Sequence, residues 1–118
     1  MKRIILVDDD PDTLDALKLI FDPDEYNLVT YSNGNAILEN QTEIPDLYIL
    51  DKQISGVDGL DICRFLKSGQ STGHIPVIIL SASPYIKNLA KAAGANDSLE
   101  KPFSIKVLRE MVKLHLSL

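Results

Sequence analysis

The sequence predicts an α/β fold, a doubly wound five-stranded parallel sheet made by one domain of 118 residues. Three observations carry that expectation. Short apolar runs alternate with helix-like segments at regular spacing, which is the pattern of α/β proteins. The runs are rich in Val, Ile and Leu without polar alternation, as suits parallel strands covered on both faces. Polar residues recur just past the ends of the runs, where right-handed crossovers gather the ligand site of such a sheet.

The first strand is read in IILV, residues 4–7, and the acidic triplet Asp8-Asp9-Asp10 follows at once. Asp10 serves as an N-cap because Pro11 takes the first helical position, where its missing N–H costs nothing. Leu14, Leu17 and Phe21 then recur at helical spacing, so the first helix spans 11–21, with Asp12 and Asp15 on a solvated first-turn face favoured by the helix dipole. YNLVTY (26–31) is the second strand and 33–40 the second helix. DLYIL (46–50) is the third strand, followed by turn chemistry at Asp58-Gly59 and a helix over 60–67. VIIL (77–80) is the fourth strand, with a helix over 84–93 closed by Gly94 at the left-handed C-cap position. A weaker fifth strand falls at 97–99, and the last helix spans 104–116.

Composition narrows the function classes. A formal net charge of -5 repels phosphate backbones, so no direct nucleic-acid binding is expected and the partner is a protein. Cys63 is the one cysteine, reads as a small packing residue and leaves no internal disulfide, in keeping with a reducing compartment. With no signal-peptide pattern and no apolar run long enough for a bilayer, the expected location is the cytoplasm, with no membrane partner. His74 and His115 are read as solvent-facing.

The residues just past the strands are Asp8 and Asp9 after the first, Asp51 after the third, Ser81 after the fourth and Lys101 after the fifth. Alone, Asp8-Asp9 is as readily an acidic turn as a metal site; Asp51 and Lys101 converging on the same edge decide for the site. Carboxylates held within a few ångströms repel, so one takes up a proton or a cation is recruited. Magnesium suits the second outcome, since it prefers hard oxygen ligands and needs only two carboxylates and a backbone carbonyl beside waters or phosphate oxygens. Asp51 is then placed to attack phosphorus and form an aspartyl phosphate, while Lys101 and Ser81 neutralise and bond the phosphoryl oxygens.

At these residues, from ILVDDD through DLYILDKQISGVDGLDIC and VIILSAS to EKPF, the chain resembles the receiver domain of two-component response regulators. The resemblance implies the (βα)5 flavodoxin-like receiver fold with strand order 2-1-3-4-5. By the same resemblance Asp51 is the phosphoacceptor, Asp9 a direct magnesium ligand, Asp8 a ligand acting mostly through water, and Gln53 the donor of a backbone carbonyl, with manganese able to replace magnesium. Ser81 and Lys101 match the family's hydroxyl and lysine, and the Lys101-Pro102 peptide is expected to be cis. Three positions depart from the family pattern. Ser98 stands where an aromatic usually reports phosphorylation, Ser55 where a proline usually precedes Gly56, and Lys52 where an apolar residue usually follows the phosphoacceptor.

In the last helix Ile105, Leu108, Val112 and Leu116 form a sheet-facing stripe, and Val107, Met111, Leu114 and Leu118 a second one beside it. The second stripe is expected to contact another chain, as a homodimer or with a kinase or output partner, unless it is a fraying chain end. The expectation is thus a stand-alone receiver, residues 1–118, that takes phosphate from a sensor histidine kinase or histidine phosphotransfer protein. It either switches a protein-interaction surface for an unknown downstream target or passes the phosphate along a relay. It is no enzyme toward external substrates, acting only on its own phosphorylation and dephosphorylation. Gln53 and Ser83 flank the expected water approach and set the rate of self-hydrolysis. The alternatives are a receiver-like binding module that is never phosphorylated and, more weakly, a haloacid-dehalogenase-type phosphatase, whose Asp-x-Asp pattern fits Asp8-Asp9-Asp10-Pro11 poorly. A calcium loop is weaker still, because Thr13 and Leu19 stand where such a loop needs Gly and Glu.

Overall fold

Backbone direction and side-chain alternation build the molecule from the centre outward. The computed structural model describes residues 1–117. Strands β1 (Lys2–Val7), β2 (Tyr26–Tyr31), β3 (Leu47–Asp51), β4 (Val77–Ser81) and β5 (Asp97–Glu100) form one five-stranded parallel sheet in the order β2-β1-β3-β4-β5. Each is followed by a helix: α1 (Pro11–Ile20), α2 (Asn35–Leu38), α3 (Gly59–Ser68), α4 (Ile86–Ala92) and α5 (Ile105–Leu116). This is the fold and strand order the sequence predicts. Among the described residues no helix is long and apolar enough to cross a membrane.

Successive strand residues point to opposite faces, so the continuous apolar runs feed two cores at once. Ile5, Val7, Tyr48, Leu50, Val77 and Ile79 pack under α2, α3 and α4 with Ile37, Ile62, Cys63, Leu66 and Ile86. Ile4, Leu6, Leu47, Ile49, Ile78 and Leu80 pack under α1 and α5 with Leu14, Leu17, Ile20, Leu108 and Val112. Every residue of β3 and β4 is buried. At about 1.5–3 kcal/mol for each fully buried aliphatic side chain, these strands fix the sheet's register firmly. That register lines up the strand ends, because Val7 pairs with Leu50, Asp51 with Leu80 and Ser81 with Glu100. Asp8, Asp51, Ser81 and Lys101 therefore fall in one row along the carboxyl edge.

Local chemistry moves several expected boundaries. The second helix is shorter than predicted: the Asn33 side chain accepts the Asn35 N–H at 2.9 Å in a turn of its own, and Asn40 takes a left-handed φ of 56° that ends the helix. The fourth helix starts at Ile86, since the Ser83 hydroxyl accepts the Tyr85 N–H at 3.2 Å and holds that segment as a turn. Gly94 has the expected left-handed conformation, φ 87°, and the Lys101-Pro102 peptide is cis. Unforeseen is a short antiparallel ribbon, Gln53–Ile54 with Val57–Asp58, reversed at Ser55-Gly56 where Gly56 has φ 83°.

Two readings of the last helix are corrected. Leu108 and Val112 face the core as predicted, but Ile105, placed on the same stripe, is 50% exposed, whereas Met111, placed on the outer stripe, packs against the core. Val107 and Leu114 are exposed as predicted, and Leu118 lies outside the described residues. His115 is not solvent-facing: its Nε2 lies 3.0 Å from Asp97 Oδ2 and its side chain is mostly covered, tying the end of α5 to the start of β5. His74 is exposed, as expected.

The helix that follows the acidic strand end is pressed against it. A Cβ on Gly59 would collide with the Asp51 carbonyl oxygen and come within 3.0 Å of Lys52 Cα, both fixed backbone. Gly59→Ala is therefore expected to lower stability by about 1–3 kcal/mol, the usual cost of overpacking, in urea denaturation. Unchanged stability would mean that α3 sits further from β3 than the structure has it.

Candidate metal centre

Three oxygen-bearing side chains reach the carboxyl edge from two neighbouring strands. One carboxylate oxygen each from Asp8, Asp9 and Asp51 lies within 4.8 Å of the others. Asp8 and Asp51 are buried and Asp9 is exposed, so the cluster opens to solvent on one side. Asp10 takes no part. Its side chain accepts the Asp12 N–H at 3.1 Å and the Thr13 hydroxyl at 2.9 Å, capping α1 as predicted.

The cation that faces the cluster is Lys101. Its Nζ lies 2.8 Å from Asp51 Oδ1 and 3.7 Å from Asp8 Oδ2. It is carried into place by backbone, since the Lys101 N–H donates to the Ser81 carbonyl at 2.7 Å. Burial works against the Lys101 ammonium, yet the hydrogen bond and charge of Asp51, joined by Asp8 and Asp10, outweigh it and raise its pKa. Burial also dominates at Asp8 and, with the Asp51 charge, lifts its carboxyl above the usual range despite the Asp10 N–H donated to it at 2.9 Å. Ser81 is buried beside these groups. Its Oγ accepts the Ser83 N–H at 3.0 Å, which leaves the hydroxyl hydrogen free to donate.

The residues present fit a divalent cation. Asp8 Oδ2 is buried without a hydrogen-bond partner, an expensive arrangement that a bound ion would relieve. Two oxygens on one magnesium stand at most about 4.2 Å apart, twice the bond length of about 2.1 Å. A cluster whose oxygens all lie within 4.8 Å of one another is compact enough to close on one ion, directly or through its bound water. Gln53 lies two residues past Asp51, at the first position of the ribbon, paired with Asp58. A cleft lined by Arg3, Phe21, Tyr26, Leu28 and Ile44 lies at the opposite end of the sheet. The acidic edge opens to solvent at the exposed Asp9.

The structure also resolves two side chains that sequence reasoning left open or assigned differently. Lys52 Nζ meets Asp58 Oδ2 at 2.9 Å. Asp58, read from sequence as turn chemistry, caps α3 by accepting the Leu60 N–H at 2.8 Å. Partial burial pushes the Asp58 carboxyl up, but Lys52 and the Leu60 N–H outweigh it and hold it below the usual range. The signal for the pair was the six-residue separation across Ser55-Gly56, legible only once the ribbon is recognised.

A sequence model of the response regulator receiver domain matches residues 4–113. The chain is 32% identical over 115 residues to the alkaline phosphatase synthesis transcriptional regulatory protein PhoP of Bacillus subtilis, covering 95% of this chain and 47% of that protein. It is 30% identical over 118 residues to the DNA-binding response regulator MtrA of Mycolicibacterium smegmatis, covering 98% of this chain and 50% of that protein. The chain spans about half the length of these curated relatives. Among solved structures, a response regulator from Chloroflexus aurantiacus superposes with TM-score 0.91 at 28% identity, covering 99% of this chain and 98% of that one. The response regulator TrrA of Thermotoga maritima, solved in complex with Mg(2+)-BeF, superposes with TM-score 0.85 at 30% identity, covering 98% of this chain and 100% of that one.

The raised Asp8 carboxyl makes a signed prediction. Without divalent cation the folded protein takes up a proton at higher pH than the unfolded chain, so stability rises as pH falls through the raised value and levels off below the ordinary 3.8. Asp8→Asn imitates the protonated group. At neutral pH it is expected to raise the cation-free Tm and to flatten the acid-side rise, both readable by calorimetry.

Proposed function

The chain belongs to the response regulator receiver family, and from that premise we propose that Asp51 accepts a phosphoryl group from the phosphohistidine of a sensor histidine kinase or histidine phosphotransfer protein. The observation that carries this reading is the buried Asp51 carboxylate, bonded to Lys101 at 2.8 Å and gathered with Asp8 and Asp9. An Asp51 oxygen attacks phosphorus, the donor's N–P bond breaks as the O–P bond forms, and the released imidazole takes its proton from solvent. Asp9 and Asp51 would hold magnesium directly, Asp8 would act mostly through water, Gln53 would lend its backbone carbonyl, and manganese would serve in magnesium's place. When bound, the ion would neutralise phosphoryl oxygens and separate the carboxylates electrostatically. Lys101 keeps a positive charge on the phosphoryl group once it leaves the Asp51 oxygen, and Ser81 donates its hydroxyl to another phosphoryl oxygen.

Residues 1–118 act as one receiver domain in the cytoplasm, catalysing their own phosphorylation and dephosphorylation and turning over no external substrate. The exposure of Asp9 supports this, since an edge open to solvent there suits a phosphoryl group presented by a protein. The net charge of -5 supports an output made through protein contact, either to a downstream target or along a relay, rather than through direct binding of nucleic acid by this domain. The surface it switches includes the exposed apolar side chains Tyr85 and Leu89 before and in α4 and Ile105, Val107 and Leu114 in α5, which a second copy or a partner covers.

Three experiments test the reading. Incubation with magnesium and acetyl phosphate is expected to add one phosphoryl mass to the wild-type protein and none to Asp51→Asn; an unmodified wild type would instead favour a receiver-like module that binds without phosphorylation. Substituting Gln53 and Ser83 together is expected to change the acyl-phosphate lifetime several-fold, because both flank the water's approach, and an unaltered lifetime would refute their role. Val107→Glu with Leu114→Glu is expected to abolish self-association or partner binding in sedimentation while leaving Tm within a few degrees, since these positions are 42% and 57% exposed.

A further inference from the structure

The acidic edge takes one ligand from a loop, and loops position ligands poorly unless something fixes them. Here the loop is a ribbon of only two residue pairs, Gln53 with Asp58 and Ile54 with Val57. A ribbon that short does not hold itself. Its base, however, is closed by several contacts. The Lys52 N–H donates to the Leu80 carbonyl at 2.8 Å, the Gly59 N–H donates to the Lys52 carbonyl at 2.7 Å, and the Lys52 ammonium reaches Asp58 Oδ2 at 2.9 Å. Asp58 spends its other oxygen on the Leu60 N–H at 2.8 Å, so one carboxylate joins Lys52 to the first turn of α3.

We infer that Lys52 and Asp58 form a clasp that positions the Gln53 backbone carbonyl as the cation's loop ligand, so that Lys52, next to the phosphoacceptor in sequence, assists metal binding despite its positive charge. The inference rests on the magnesium-dependent reading above. Gln53 is anchored from two directions: Asp51, two residues before it, is held in β3, and Asp58, its partner across the ribbon, is held by the helix cap and the ion pair. It also pairs the Lys52 charge, leaving a neutral unit beside the cation site instead of a competing ammonium. With the Lys52 side chain 21% and the Asp58 side chain 37% exposed, the pair contributes little to global stability, as is usual for ion pairs in contact with water. Its effect is on orientation. Lys52 and Asp58 are positioning residues, since neither touches the reacting atoms.

Magnesium chloride titration of the full chain followed by NMR amide shifts separates this from plain electrostatics, because the two predict opposite signs for Lys52→Met. Removing a positive charge near a divalent cation tightens binding if charge alone matters. Loss of the clasp weakens it, by about tenfold on the scale of outer-shell contacts to metal ligands. Lys52→Arg, which keeps the ion pair, is expected to bind within about twofold of wild type, and the Gly59 amide is expected to exchange faster in Lys52→Met even without metal. Lys52→Ser removes the same charge and is too short to reach Asp58, so it repeats the test with the same opposed signs if Lys52→Met folds poorly; it too is expected to weaken binding. Magnesium affinity in Lys52→Met equal to or tighter than wild type overturns the inference while leaving the functional reading intact. Absence of any saturable shift in the wild type overturns that reading and the inference with it.

Discussion

The repulsion among Asp8, Asp9 and Asp51, answered by a single ammonium at Lys101, is the constraint on which the rest of the molecule depends. Two of those carboxylates are buried, one with an oxygen that finds no hydrogen-bond partner. Left to itself such a cluster would spread into solvent. It stays because the backbone positions are not free: β1 and β3 pair residue by residue up to Val7 and Leu50, and both strands are packed on two faces. The apolar core thus holds an electrostatically unfavourable edge in place, and three carboxylates gathered in this way could take up a divalent cation. Strain of this kind at a site, maintained by packing elsewhere, is the usual relation between stability and function.

Hydrogen bonds tie the edge to its neighbours. The Lys101 N–H donates to the Ser81 carbonyl, joining the end of β4 to the residue after β5. At the other end of β5, Asp97 is tied to His115, which fastens α5 to the strand. Ser98, beside Asp97, carries no large side chain to swing between inward and outward positions. Apolar side chains are exposed on α4 and α5.

What was legible in the sequence, and what was not, divides by the range of the forces involved. IILV, DLYIL and VIIL announce themselves because strands buried on both faces are apolar at every position, and those runs placed Asp8, Asp51 and Ser81 within a residue of where the structure has them. Asp10 and Pro11 marked a helix start through chemistry local to three residues. The misreadings all involve contacts across distance or short-range polar competition. His115 looks like any exposed helical residue until β5 brings Asp97 beside it, eighteen positions away. Ile105 and Met111 exchange roles because the packing of α5 on the sheet, which periodicity does not encode, decides which apolar side chains are covered. Lys52 and Asp58 read separately as an odd charge and a turn, and only the ribbon between them shows that they are one feature.

The central claim is that the acidic edge is a divalent-cation site assembled by the sheet. Crystals grown with manganese and measured near its absorption edge test this most directly. The account predicts one strong anomalous peak bonded to Asp9 and Asp51 and to the Gln53 carbonyl, with Asp8 reached through water and Lys101 displaced from the metal-facing side of Asp51. A map without that peak, showing the three carboxylates turned apart into solvent while Lys101 remains on Asp51, would contradict it.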